Sequence, residues 1–431
     1  MGLLRLLNPG SRGTVSEFCC VLFTVILGLQ ACASWALYEK GTTAAQEYSN
    51  QIEQLLALSP DSVSKPSDAA DAIARFDQVI HGVAKVEDFE TAGRLARKCR
   101  EIFPGQLRSG LLLGWVAGLA GNLDSAIETT RACLAEGTRR LPDPDKVWHA
   151  EALANLGCFL IQKEQYKEAV PYLEQSRKEN QKPALPDYLA GLAYHHVGEP
   201  WLCGKAYEKA FKKDESLASP SDYVFHAWAE DRMGHLDKAG AILAKALERF
   251  PMSSGLHVNL GLNKEAQSAT REAYYEYRME LLLGQDDSPY SDEAKKRIER
   301  IERIQVNTPF ADPELKSVIE YLRRKAENNL DLADKLLDSA VAANSLKNPF
   351  IVYLRAQRLE EKDDYQGAIK VLEDATQNDP SQVLLQIDLA EAYGKAGVKD
   401  KANELIKKLL LVAPDHWKLK QLVGPSAKNG G

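Results

Sequence analysis

Small residues return along this chain at a fixed spacing of 34. Ala356, Ala368 and Pro380 recur as Ala390, Ala402 and Pro414. The same shift carries Gly157 to Gly191, Ala227 to Gly261, Ala239 to Ala273, and Ala92 to Ala126. A period of this length marks a supersecondary unit that cannot bury its apolar face alone and must stack on copies of itself. Within one period, residues 221–251, the spacing predicts two helices with a short turn. Tyr223, Ala227 and Glu230 lie on the first helix, and Gly234 sits at the break. Ala239, Leu243 and Ala246 then follow at i, i+4 and i+7, one stripe of a second helix. Pro251 ends that helix, because proline lacks an N–H and clashes with the preceding turn. Small residues at the facing positions let the two helix axes approach closely.

The stretch GLAY at 191–194, and Ala390, Tyr393, Ala402, Ile406 and Pro414 in the last period, carry a resemblance. They are similar to the tetratricopeptide repeat, with its G-x2-Y, A-x3-F and helix-ending proline. The phases place repeats at 73–106, 107–140, 150–183, 184–217, 220–253, 254–287, 314–347, 349–382 and 383–416. The resemblance implies an all-α chain, a right-handed α-solenoid of about nine helix-turn-helix repeats. The repeat at 314–347 keeps only Ala333, Leu337 and Ala340 of the pattern. Cys203 stands where alanine is usual, and Cys99 and Cys133 occupy another small-residue phase, so these thiols read as packing residues. Equivalent positions in stacked repeats lie ~10 Å apart. That is beyond disulfide reach, so Cys99 and Cys133 should not pair.

Two segments interrupt the array. Residues 134–147 lengthen one connection, with two prolines marking a loop. Between Asp286 and Pro313 a highly charged helix carries Ile298, Ile301 and Ile304 at near-helical spacing. The expected organisation is therefore an N-terminal anchor or signal over 1–40, a helical linker over 41–72, a first block over 73–287, a charged connecting helix over 288–313, a second block over 314–416, and a tail over 417–431.

Composition excludes several functions. A net charge of -7 leaves no basic footprint for nucleic acid, or for anionic lipid through the body of the protein. The seven cysteines form no CxxC pair, so a zinc ribbon or thioredoxin-type site has nothing to build on. No HExxH, GxSxG or P-loop occurs. His195 and His196 are adjacent and diverge by about 100° on a helix, which disfavours shared metal ligation. Acidic pairs such as Asp363 and Asp364 fall in turns, where solvated caps explain them. These observations point to a non-enzyme with no cofactor, no metal and no small-molecule substrate.

The resemblance implies that a protein partner lies along the inner face of the first helices. Carrying the phases over puts Trp115, Asn155, Tyr188, His195, Phe225, Trp228, Asn259 and Tyr353 towards such a groove. Asn155 and Asn259 fall where an asparagine of this family can grip a bound peptide backbone. Asp77, Leu111 and Leu192 replace the set that clamps terminal carboxylates in some relatives, so an apolar or amphipathic segment suits the lining better than an acidic tail. Aromatics at helical spacing in a solenoid are more often packing residues than ligand contacts.

Residues 19–35 read CCVLFTVILGLQACASW, the one long apolar run. Residues 18–38 carry no charge and would span about 31 Å as a helix, enough to cross a bilayer. Trp35 and Tyr38 resemble an interfacial belt, and Arg5 and Arg12 place the N-terminus in the cytoplasm with the repeats outside. Alternatively, Leu29, Gln30, Ala31 and Cys32 resemble a lipobox, with Cys32 as the acylated residue. Both readings expect an extracytoplasmic, periplasmic repeat domain tethered to a membrane within a bacterial envelope assembly. The other class considered is a cytosol-facing, membrane-anchored regulator that presents client proteins to a protease or chaperone.

Overall fold

A computed structural model of the chain describes residues 43–60, 66–85, 87–137, 143–284, 288–307, 312–344, 346–414 and 416–423. The apolar run, Cys32 and the end of the C-terminal tail fall outside the described residues, as does 138–142 of the lengthened connection. Among the described residues every regular element is helical. The chain forms two compact units, one ending at Ala229 and the other running from Glu230.

The first unit contains α1 (Thr43–Leu56), α2 (Pro66–Lys85), α3 (Phe89–Ile102), α4 (Leu107–Leu119), α5 (Leu123–Gly137), α6 (Asp143–Gln162), α7 (Tyr166–Glu179), α8 (Leu185–Val197), α9 (Pro200–Asp214) and most of α10 (Pro220–Arg232). The second holds the end of α10 and then α11 (Leu236–Arg249), α12 (Leu256–Ala266), α13 (Thr270–Leu282), α14 (Pro289–Asn307), α15 (Pro313–Ala326) and α16 (Leu330–Asn344). It continues with α17 (Pro349–Glu360), α18 (Tyr365–Asn378), α19 (Val383–Lys395), α20 (Lys399–Leu409) and α21 (Trp417–Val423).

Helices pair into hairpins because each turn is the same short device. One residue takes a left-handed conformation: Glu87, Gly121, Glu164, Gly198, Gly234, Ser268, Asn328, Asp363 and Gly397 in successive turns. The next N–H reaches back five residues, as from Glu199 to Tyr194 O at 2.9 Å and from Ala269 to Lys264 O at 2.8 Å. This satisfies carbonyls that the helix end would leave orphaned. The following residue then begins the second helix, and Asp364 caps α18 by accepting from Gly367 N at 2.9 Å. The expected cap role holds for Asp364, while Asp363 takes the left-handed turn position and accepts from the Tyr365 hydroxyl at 2.7 Å.

The two helices of a hairpin differ in burial. Two first helices are covered over most of their length: Pro186 to His195 of α8 and Leu256 to Asn263 of α12 are all buried, whereas α2 and α15 leave Arg75, Gln78, Lys316 and Arg323 exposed. The reason is that α8 touches its own partner α9, the preceding α7, and α6. The second helix α11 buries one stripe, Ala239, Gly240, Leu243 and Ala246, whereas α13 buries Ala273, Tyr274, Tyr275, Tyr277, Met279 and Glu280 on several sides. The weakest repeat of the sequence keeps the register, since Ala333, Leu337 and Ala340 of α16 are fully buried.

Close approach inside hairpins depends on glycine facing a large residue. A Cβ added at Gly157 would lie 2.6 Å from Leu173, at Gly191 2.7 Å from the Tyr207 ring, and at Gly261 2.5 Å from the Tyr277 ring. Each partner sits sixteen residues after its glycine (173 − 157 = 207 − 191 = 277 − 261 = 16). Where the first helix carries Ala356 instead, the residue at that distance is Leu372, and both are buried in one cluster.

Cys99, Cys133, Cys158 and Cys203 are buried and form no disulfide among the described residues, in agreement with the packing role. Burial pushes the Cys99 thiol up to about 12. In α14 the buried stripe is Ala294, Ile298 and Ile301, whereas Ile304 is exposed. The three-isoleucine stripe expected from the sequence is thus displaced by one turn towards the N-terminus, since 294, 298 and 301 keep the i, i+4, i+7 spacing of one face. The second unit also curls on itself. α13 packs on α17, and Leu384 joins Tyr275 and Met279 in one cluster. The short α21 closes the end, its Lys418 Nζ lying 2.5 Å from Asp388 of α19 and also bridging Glu391.

Candidate functional site

In the first unit the end of α8 meets the start of α7 and the middle of α10, and five rings line up there. Tyr166 stacks on His196 at 3.9 Å with 6° between planes. His196 stands edge-on to His195 at 5.1 Å, and His195 stacks on Phe225 at 4.2 Å. Trp228 meets His195 edge-on at 4.4 Å. The seam forms because α8 is enclosed on all sides, so the residue closing its last inner turn is inserted between neighbouring helices. His195 and Trp228 are buried, Tyr166 and Phe225 half-buried, and His196 exposed, so the seam reaches solvent along one edge.

The seam is electrically neutral. Burial, with the neighbouring His196 adding to it, pushes His195 down to about 3, and desolvation by the rings packed against it lowers His196 to about 4. Neither imidazole is charged near neutral pH. The Nδ1 of His195 and the Nε1 of Trp228 are buried and find no hydrogen-bond partner among the described residues. Rings of this kind present flat apolar faces with polar tips, the surface on which an apolar or aromatic side chain stacks.

The structure brings three of the eight sequence-predicted groove residues together here: His195, Phe225 and Trp228. The others lie apart. Trp115 is buried and stacks on His81 at 4.2 Å. Tyr188 is buried, and its hydroxyl donates to Asp214 O at 2.8 Å, so it fastens α8 to the end of α9. Asn155 is half-buried on α6. In the second unit Asn259 donates to Gly255 O at 2.7 Å within its own first turn. Tyr353 is half-buried against Phe350, with ring centroids 6.2 Å apart. Asp77 is taken up by His81, 3.0 Å away, and by Arg108, while Leu111 and Leu192 are buried. Burial raises Asp77, but His81 and Arg108 outweigh it and hold the carboxyl below its usual range.

Tyr166 and His196 belong to the site and were not placed there by repeat phase. Tyr166 opens a second helix, outside the inner phases, and His196 diverges from His195 as expected and stacks one face on Tyr166 while remaining exposed to solvent. The one cue for His196 was a polar residue beside His195 on an otherwise apolar helix.

Several of the remaining histidines and carboxylates tie elements together. His149 Nδ1 lies 2.6 Å from Glu179, and His257 Nδ1 lies 2.7 Å from Glu276. Glu230 is shared by His235 and Lys238, each at 2.8 Å. Asp187, buried on α8, is held by Arg177 Nε at 2.7 Å and by Lys213, which joins α7, α8 and α9.

Comparison with known proteins bears on the same hairpins. Models of the family described as tetratricopeptide repeat match residues 150–181, which span most of α6 and all of α7, and residues 359–423, from the end of α17 to α21. No curated protein matches the chain. Among solved structures, YrrB, described as a TPR protein with an unusual peptide-binding site, is 18% identical over 47% of this chain and 97% of its own, with a TM-score of 0.41. PilF of Pseudomonas aeruginosa is 18% identical over 53% of this chain and 98% of its own, with a TM-score of 0.44. MamA from Desulfovibrio magneticus RS-1 is 19% identical over 41% and 93%, with a TM-score of 0.34. The turn repeated from hairpin to hairpin and the two matched stretches identify the chain as a tetratricopeptide-repeat protein.

Proposed function

We propose that this protein is a non-enzymatic scaffold that binds an apolar or amphipathic segment of another protein along the aromatic seam of its first unit. The observation that supports the reading is the seam itself. Neutral rings from α7, α8 and α10 surface together, with Tyr166, His196 and Phe225 reachable from solvent. Aromatic anchors in a partly desolvated setting are the residues that dominate binding energy at protein interfaces. The solenoid repeat supplies the extended frame on which such a surface is held.

The test is a binding comparison. His196→Glu and Phe225→Glu place charge on the seam without disturbing the buried Tyr188 tie. A partner identified by wild-type capture and then purified should bind wild type and lose about tenfold or more in Kd with either variant. Equal affinity for all three proteins would remove the seam from the interface.

The membrane reading is proposed with it: an N-terminal span or a lipid on Cys32 holds the repeats outside the cytoplasm, within an envelope assembly. Its support is the composition of residues 18–38. Among the described residues no helix is long and apolar enough to cross a membrane. Intact-mass measurement of the membrane-extracted protein separates the two attachments. A full-length mass supports the span, a mass beginning at Cys32 with added acyl groups supports the lipid, and a soluble chain in neither form contradicts both.

A further inference from the structure

The end of the second unit carries a surface that breaks the pattern of its repeats. α20 stops at Leu409, and a short connection leads to α21. Ala413 and Leu419 fasten this connection to the body, both buried in one cluster with Val383, Ile387 and Ala390 of α19. Around these anchors three large apolar side chains face water. Leu411 is 86% exposed and Val412 54%, and Trp417 is 48% exposed although one edge of its indole lies against Gly284. Val412 and Trp417 are five positions apart, so at most ~18 Å of chain separates them. Bonds from Val412 N to Leu409 O at 3.0 Å and from His416 N to Ala413 O at 3.2 Å fold the connection tighter still.

Apolar groups are out of place at this phase of the repeat. The positions of Leu411 and Val412 are held by Lys178 and Glu179, by Glu248 and Arg249, and by Gln377 and Asn378 in three other repeats, and all of these are exposed. Where two leucines fill the phase, at Leu282 and Leu283, one is half-buried and the other buried. Charge is segregated at the same end. The net charge of -7 averages over the whole chain, but residues 405–431 hold five lysines against the single acid Asp415. Lys407 and Lys408 lie in the last turn of α20 and Lys420 on α21, and all three are exposed. Lys408 reaches Glu404 at 2.8 Å with both side chains in solvent, a pair that holds the lysine weakly. Lys418 alone is turned inward, to Asp388 and Glu391.

We propose that this end of the second unit, with Leu411, Val412, Trp417 and the lysines Lys407, Lys408 and Lys420, docks on an anionic bilayer surface. Leu411 and Val412 enter the boundary between headgroups and acyl chains, the indole of Trp417 lies at headgroup level, and the lysines meet the lipid phosphates. Charge complementarity selects this occupant. A second copy of the chain would set lysine against lysine, whereas a phospholipid surface offers negative charge and demands no matching shape. The proposal uses neither the aromatic seam nor the N-terminal apolar run.

The experiment places an environment-sensitive fluorescent amino acid at Leu411 of the full-length chain. The probe is read with vesicles of phosphatidylcholine alone, and with vesicles in which roughly one-third of the lipid is phosphatidylglycerol. A blue shift is expected on the anionic vesicles only, so an N-terminal segment that inserted into both kinds would not imitate it. Lys407→Gln with Lys408→Gln should raise the lipid concentration at half-shift by about tenfold or more, and added salt should act in the same direction. Neutralising Lys209 and Lys212, exposed on α9, should leave it unchanged. Val412→Asp should abolish the shift, with circular dichroism confirming the helices. No shift on either vesicle, or equal shifts on both, would overturn the proposal. So would a shift that appears without lipid and grows with protein concentration, which would assign the patch to a second copy.

Discussion

Gly191→Ala adds one methyl group to α8, and the structure sets both the sign and the size of its effect. The new Cβ would stand 2.7 Å from one carbon of the Tyr207 ring and within 2.9 Å of two more. Carbon atoms pack at ~3.5–4.0 Å, so several contacts turn repulsive at once. Tyr207 is fully buried and cannot swing aside. Overpacking of a closed core costs roughly 1–3 kcal/mol, while replacing a helical glycine by alanine returns about 1 kcal/mol. The net expectation is a loss of up to about 2 kcal/mol. Gly394→Ala is the control, because nothing lies within 4 Å of its added Cβ on α19, and it should stabilise by about 0.5–1 kcal/mol. Repeat arrays can unfold in parts, so native-state hydrogen exchange resolved by hairpin is the right assay. Protection in α8 and α9 should fall in Gly191→Ala, and the pair Gly191→Ala with Tyr207→Leu should recover much of it, as Ala356 with Leu372 already demonstrates. If Gly191→Ala stabilises as much as Gly394→Ala, the account of hairpin packing is wrong.

Three further outcomes are expected. Ser268 holds φ 62, a conformation that costs a non-glycine residue about 1–2 kcal/mol, so Ser268→Gly should raise the urea midpoint while a helix-interior glycine would lower it. His195 has its folded value lowered to about 3 from 6.5, so the unfolded chain takes up a proton that the folded one refuses. Stability from this group is present above pH 6.5 and lost as pH falls towards 3, by about 2 kcal/mol between pH 6.5 and 5. His195→Phe should flatten the thermal-melt pH profile over that window, and an unchanged slope would contradict the buried neutral imidazole. Lys418→Met should cost about 3 kcal/mol by stranding the buried Asp388, and adding Asp388→Leu should restore most of it in denaturant titrations.

The sequence reveals the hairpins because their turns, small residues and stripes obey local rules. Ala333, Leu337 and Ala340 suffice to register α16, even though the rest of that repeat departs from the pattern. Local rules do not report what surrounds a first helix. Tyr188 and Trp115 fall at inner phases, yet neighbouring helices cover them, and Tyr188 spends its hydroxyl on Asp214 O. Tyr166 joins the seam only because the end of α8 lies over the start of α7. The curl of the second unit depends on α13 meeting α17, a contact between hairpins separated by α14, α15 and α16. No short-range periodicity records that contact. In α14, charge is dense enough to hide which isoleucine faces outwards, and Ala294 rather than Ile304 completes the buried stripe.

The central claim is that the seam of the first unit is a protein-binding surface, and site-specific photo-crosslinking in the native cell tests it most directly. A photoreactive amino acid at Phe225 should yield one discrete adduct with another protein. The same group at Lys209, exposed on the second helix α9, should yield none. Matching adduct patterns from both positions, or no adduct from Phe225, would contradict the claim.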